Sequence, residues 1–311
     1  MSRSPGALLV ISGTALFGTV GTARVLGPDD ASSFAVAFAR LLLSALVMVG
    51  LGVVVARRNR RGSAAAGAGS RVVAGLVRSP VVWGAAVAQA SFQVCFLAAV
   101  VRSGVASGTL VAIGSAPLLT GLAVTVRTRR PTAGWLVSTL VGLLGLVLLV
   151  GVGDGLGRND PLGLLLALGA AASYAGYIIA SGGLLRLRQT LDSSLPVVFT
   201  LAVVLISPVL VLADWSWVAS VDGLLMLAWL ALVPTVLAYA LFNRGLRHVD
   251  APTAATLGLV EPVVATALAV LVLAESMTPV QWLGAVLIGA AVVLVARLGV
   301  QPPAAALAGA R

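Results

Sequence analysis

The stretch LVEPVVATALAV, residues 259–270, sets a glutamate beside a proline inside an otherwise apolar run that extends from Ala251 to Ala274. A charge at the centre of a lipid-spanning helix costs roughly 2.5–3.5 kcal/mol on insertion scales, and proline removes a backbone donor. Such residues persist where protein or water answers them. A partner stretch stands earlier, GSAPLLTGLAV at residues 114–124, with Pro117 in the place of Pro262. Further matches keep the same order outward from these prolines. Arg102 aligns with Arg247, WLVSTLVG from Trp135 with WLGAVLIG from Trp282, and GALLVISGTALFG from Gly6 with GLLLALGAAASYA from Gly163. The chain reads as a duplication.

Of its 311 residues, 59% are hydrophobic and 10% charged, against about 25% charged in a soluble domain. Apolar runs of about 18 residues or more, each long enough to cross a hydrocarbon core of about 30 Å, recur along the whole length. Ten spans are expected, at residues 6–23, 33–56, 80–101, 105–126, 134–151, 162–183, 194–213, 222–243, 251–273 and 279–297. The first follows Arg3 like the apolar core of a signal peptide, but the many spans behind it make it an uncleaved first helix. Placing the N-terminus inside puts most arginines in the cytoplasm, including Arg57, Arg58, Arg60, Arg61, Arg71 and Arg78 in one connection and Arg127, Arg129 and Arg130 in another. Arg24, Arg102 and Arg158 fall outside and Arg40 within a span. The orientation rule for basic loops therefore places both termini in the cytoplasm.

Five spans per unit is an odd number, so the second copy enters the membrane upside down relative to the first. The basic turn RTRRP after the fourth span has as its counterpart AESMTP after the ninth, which lacks arginine. The expected fold is an all-α polytopic membrane protein of ten transmembrane helices, built as two inverted five-helix repeats. Residues 1–153 and 154–300 form the repeats, and 301–311 a disordered cytoplasmic tail. Residues 58–71 read as a basic connector. Inverted repeats about an axis in the membrane plane build a site that opens to either side in turn.

Several chemistries are excluded. All twenty basic side chains are arginine, so neither a phosphate-binding loop lysine nor a Schiff base is available. Cys95 and His248 are each the only one of their kind, which rules out an intramolecular disulfide and a zinc cluster of Cys and His. No cofactor is expected. The formal charge of +10 follows from cytoplasmic arginines rather than from nucleic-acid binding. GVGD, residues 151–154, has the form of an intramembrane aspartyl protease signature, but Asp154 falls in an outer loop and no second aspartate is embedded.

The paired elements APLLTGLAV and EPVVATALAVLVLAES, together with PVQWLGAVLIGAAVVL and FAVAFARLLLSALV around Arg40, resemble the ten-span EamA family of the drug/metabolite transporter superfamily. The resemblance covers nearly the whole chain. It implies a small-solute carrier of the bacterial inner membrane, most often an exporter of amino acids, related metabolites or drugs. Where relatives often carry a glutamate after the fourth span, this chain has Arg129 and Arg130. A lipid or polyprenyl-carrier translocase and a membrane-integral transferase are the alternatives. The transferase has no recognisable nucleophile–base pair or nucleotide loop behind it.

Candidate pathway residues follow from what lipid penalises. Glu261 fits a proton-exchanging carboxyl, a partner for a substrate ammonium, or a structural carboxyl bonded to a neighbouring helix. Arg40 fits an ion pair with Glu261, a partner for a solute carboxylate, or a side chain snorkelling to the interface. Gln89 and Gln93, Tyr174 and Tyr177, and Tyr239 and Asn243 are pairs spaced three or four apart, so each pair shares a helix face. Pro117 and Pro262 are expected to break matched helices beside a cavity, or to serve as packing kinks; Pro208 and Pro234 read as simple kinks. Trp83, Trp135, Trp215, Trp217 and Trp282 near span ends read as interface anchors. The expected partners are a small solute, membrane lipid and protons, with no nucleic acid.

Overall fold

The computed structural model describes residues 5–59, 66–128, 133–150, 160–186, 191–274 and 276–298. Arg129, Arg130, Asp154, Arg158, Glu275 and the 301–311 tail lie outside the described residues. Every regular element among those described is helical.

The first span is bent at Gly18 into α1 (Pro5–Phe17) and α2 (Thr19–Val25). There follow α3 (Ser33–Asn59), α4 (Ala66–Val77), α5 (Pro80–Ser103), α6 (Val105–Thr128) and α7 (Ala133–Val150). The second half holds α8 (Pro161–Arg186), α9 (Leu191–Leu205), the short α10 (Val209–Leu212) and α11 (Val221–Ala231). A π-helical segment, Leu232–Leu237, carries α11 into α12 (Ala238–Gly245). The expected ninth span is divided into α13 (Ala251–Leu257) and α14 (Val260–Leu273), and α15 (Pro279–Leu298) closes the bundle.

Among the described residues, nine stretches are long and apolar enough to cross a membrane. The expected span at 194–213 is the exception, because its apolar helix, Ser194–Leu205, is shorter. Pro208 has no amide to continue the helix, and the amides of Ser207, Val209 and Leu210 each bond three residues back rather than four. The other difference is α4, which forms from Ala66 where a connector to residue 71 was expected. Leu76 is fully buried in the core that holds Val82, Ala85 and Phe199, and tertiary burial stabilises a short helix that composition alone does not announce.

Two of the five expected tryptophan anchors are core residues instead. Trp135 is buried because Gly121 leaves room for its ring, in space that a Cβ there would occupy. Trp217 is buried on a 3₁₀ turn, Ser216–Ala219, against Ala35, Met226 and Leu230. Trp83 and Trp282 remain exposed.

Small residues let backbones meet at the main crossings. A Cβ on Gly145 of α7 would lie 2.7 Å from the carbonyl of Gly284 on α15, and one on Gly284 2.6 Å from the carbonyl of Gly145. Elsewhere Gly6 of α1 packs directly on His248, and Gly163 of α8 on Ser103. Gly6 and Gly163 are matched positions of the duplication, and His248 and Ser103 follow the matched Arg247 and Arg102.

At the end of the bundle where α5 stops and α8 starts, Arg102 Nε meets Asp160 Oδ2 at 2.7 Å. Desolvation alone would raise the Asp160 carboxyl. The amides of Leu162 and Gly163 and the Arg102 guanidinium outweigh it and hold the carboxyl below its ordinary range. A lowered folded-state pKa means a contribution to stability that is present above the ordinary carboxylate pKa and is lost as pH falls through the folded value. The thermal midpoint of Asp160→Asn should therefore fall slightly below that of the parent at pH 7, with the difference vanishing in acid below the ordinary carboxylate range. Thermal unfolding in detergent at both pH values measures it.

Candidate functional site

The division of the ninth span is a local tightening of the backbone. The Leu259 amide donates to the Thr256 carbonyl at 3.1 Å, and the Glu261 amide to the Gly258 carbonyl at 3.0 Å. Gly258 is the residue whose carbonyl loses its helical donor to Pro262, so Glu261 closes the gap with its own amide. Glu261 thereby falls in the first turn of α14, where the free amides of a helix start favour negative charge. Its side chain lines a cavity of about 170 Å³.

Pro117 behaves differently, because α6 runs through it undivided. The residue four before it, Ile113, is nevertheless part of the cavity wall. Of the two matched prolines, one divides its helix and the other does not. Pro234, read from the sequence as a simple kink, sits in the π-helical segment, and both Pro234 and Thr235 line the cavity. The Leu230 carbonyl that Pro234 leaves without a donor accepts the Thr235 hydroxyl at 2.7 Å, and the next carbonyl, Ala231, accepts the Ser44 hydroxyl at 3.1 Å. π-Helical turns inside α-helices occur frequently at functional sites.

Polar groups from five helices converge here. Arg40 of α3 donates from Nη2 to Gln93 Oε1 of α5 at 2.9 Å, and Tyr239 of α12 donates to Gln89 Oε1 at 3.0 Å. All four line the cavity with Glu261 and with Tyr174 of α8. Asn243 and Tyr177 stand behind the wall, buried, with Asn243 Nδ2 donating to the Tyr177 hydroxyl at 3.0 Å. Arg40 therefore turns into the bundle and does not snorkel, and among the described residues no ion pair joins it to Glu261.

Three buried polar atoms of the lining have no protein partner: Arg40 Nε, Gln89 Nε2 and the Tyr174 hydroxyl. The first two only donate, and the third also donates. The aromatic walls come from Phe17, Phe92, Phe96, Tyr174 and Tyr239, with Phe17 edge-on to Tyr239 at 5.0 Å between ring centroids. Phe17, Phe92 and Phe96 were not singled out in the sequence, where an aromatic on an apolar helix looks like any core residue. From Glu261 the lining extends toward Arg24 and Ser33, at the end of the bundle away from α13. Arg24 donates to the carbonyls of Pro28 and Ala31, tying the link between α2 and α3. At the opposite end α13 is buried along most of its length, with Thr256 bonded to Thr139 of α7 at 2.9 Å. Among the described residues no cluster of three or more His, Cys, Asp or Glu side chains is placed to hold a metal ion.

The cavity is thus lined by one carboxyl, Glu261, and two guanidiniums, Arg24 and Arg40, and its wall includes a bent, a divided and a π-distorted helix. The profile of the EamA-like transporter family matches residues 161–297. The chain is also 36% identical over 278 residues to the uncharacterized transporter YwfM of Bacillus subtilis (strain 168), covering 89% of this chain and 88% of that one. The chain belongs to the EamA-like transporter family. As a member of that family it is a multi-pass membrane transporter. A solved crystal structure shares the fold with a TM-score of 0.77 at 20% identity, covering 96% of this chain and 98% of that one. In this EamA-like transporter, Glu261, Arg40, Gln89, Gln93, Tyr174 and Tyr239 line one cavity, whereas Tyr177 and Asn243 are bonded to each other outside its lining.

Proposed function

We propose that the chain is a secondary transporter that exports a small zwitterionic or amphipathic metabolite across the bacterial inner membrane by alternating access, with both termini in the cytoplasm. The observation that carries this reading is the cavity, in which Glu261 and Arg40 face one space with no ion pair between them among the described residues. A solute with a carboxylate and an ammonium group answers both charges. Glu261 binds the ammonium or exchanges a proton for it, and Arg40, held by Gln93, takes the carboxylate. The matched contacts of Gly6 with His248 and Gly163 with Ser103 support the inverted repeats, 1–153 and 154–300, that such a cycle needs. In the orientation expected from the arginines, the lining reaches the outer end and the packed α13 closes the cytoplasmic end, as in an outward-facing state.

Counterflow in proteoliposomes with a panel of labelled amino acids and nucleosides tests the proposal, run with and without an imposed pH gradient. Accumulation of a zwitterionic solute in parent vesicles, and not in empty ones, is expected. Movement of labelled lipid without any solute counterflow would overturn it.

A further inference from the structure

Gly18, which bends the first span, touches the residue on which the proposed mechanism turns. A Cβ at position 18 would lie 2.7 Å from the carbonyl oxygen of Glu261, 2.9 Å from Cβ of Val264 and 3.0 Å from the amide nitrogen of Ala265. Two of these three neighbours are backbone and have no side chain to swing aside. The glycine is not there for its conformational freedom, since φ −59° and ψ −17° lie in the ordinary right-handed region. It is there for space. The bend between α1 and α2 thus rests on the first turn of α14, and Phe17 and Val20 on either side of it line the same cavity as Glu261.

The bend is also tied to a third element. The Thr19 hydroxyl donates to the Leu16 carbonyl at 2.8 Å and accepts from Trp229 Nε1 of α11 at 3.2 Å. Trp229 lies three residues before the π-helical segment that carries Pro234 and Thr235. The bent, divided and π-distorted helices of the cavity wall are therefore joined through residues 17–19.

The pseudo-symmetric counterpart of this contact, between α8 of the second half and α6 of the first, lacks the arrangement. In the matched stretches Ala175 stands in the place of Gly18 and Ala116 in the place of Glu261. Both alanines are buried, and α8 and α6 run through them undivided.

We propose that Gly18 is a positioning residue for Glu261, setting where the first turn of α14 holds the carboxyl in the cavity, and that the two pseudo-symmetric interfaces between the halves have diverged, the one at Gly18 made of interrupted helices and its counterpart of undivided ones. The inference rests on the assignment of Glu261 to the solute cavity, but its test does not require transport. The readout is the rate at which a hydrophobic carbodiimide modifies Glu261 in the purified full chain, followed by mass spectrometry of the peptide. In enzymes a misplacement of about 1 Å costs on the order of 10²-fold. By that measure Gly18→Ala should change the labelling rate about threefold or more, and lower the maximal rate of counterflow more than it changes the half-saturating solute concentration. Ala175→Gly should alter neither. Trp229→Phe releases the bend from α11 without adding volume, and should shift the labelling rate in the same direction by a smaller factor. Unchanged labelling in folded Gly18→Ala would overturn the proposal, as would an equal change in Ala175→Gly. If Gly18→Ala does not fold, unchanged labelling in Trp229→Phe overturns it. Altered labelling with no solute transport in the parent would retain the positioning role and discard the transport reading.

Discussion

Replacing Glu261 with glutamine is expected to leave the transporter folded and inserted while cutting counterflow of a zwitterionic or cationic solute by more than tenfold. Glutamine has nearly the same shape, and a neutral amide is cheaper than a carboxylate at mid-membrane depth, so insertion does not suffer. The negative charge is lost from a cavity where no other carboxyl stands among the lining residues. Removing one partner of a desolvated charge pair costs about 2–5 kcal/mol, and about 1.4 kcal/mol is a factor of ten, so binding weakens roughly thirtyfold or more. If Glu261 also exchanges the proton, the variant loses its response to an imposed pH gradient while passive exchange of a saturating solute survives. Counterflow in proteoliposomes, with thermal unfolding as the control for folding, measures both. Unchanged counterflow would remove Glu261 from the mechanism.

The largest effect on stability is expected at the crossing of α7 and α15. Gly284→Val places a branched side chain where a single Cβ already lies 2.6 Å from the Gly145 carbonyl and 2.6 Å from the Leu149 amide nitrogen. Both neighbours are backbone, so the helices must separate along a seam that also buries Thr139, Gly142 and Leu146 on one side and Ile288, Ala291 and Val295 on the other. Overpacking of this kind costs about 1–3 kcal/mol, and loss of the seam's other contacts adds to it. Gly289→Val is the control on the same helix, because a Cβ there meets nothing within 4 Å. A thermal midpoint in detergent that drops for the first variant and holds for the second is the expected outcome. Equal midpoints would contradict the close packing of this crossing.

The membrane made much of the fold legible in the sequence, since an apolar run long enough to span leaves few alternatives. Nine of the ten expected spans correspond to helices of spanning length among the described residues. The tenth is cut short at Pro208, and the length of a run does not say where a proline will end its helix. Residues 66–77 were legible only in part, because α4 depends on the burial of Leu76 beneath α9. Trp135 was misread as an interface anchor because the space that accepts it belongs to Gly121, fourteen positions away on another helix. Glu261 stood out because lipid penalises it. The contact of Arg40 with Gln93 did not, because pattern within one helix carries no information about which faces meet. Pro234 carried a usable signal in the adjacent Thr235, a hydroxyl able to bond the carbonyl that the proline leaves open.

On the proposed reading, the three unanswered donors give the transporter a way to be selective at low affinity. A molecule bearing oxygen acceptors pairs Arg40 Nε, Gln89 Nε2 and the Tyr174 hydroxyl, whereas a plain hydrocarbon amine of equal size strips water from all three and returns nothing. Sites built to hydrogen-bond a cargo reject analogues that lack the matching group by factors of about 10⁴–10⁵. Discrimination of that kind comes from penalising the wrong passenger, so the right one can still be released easily on the far side.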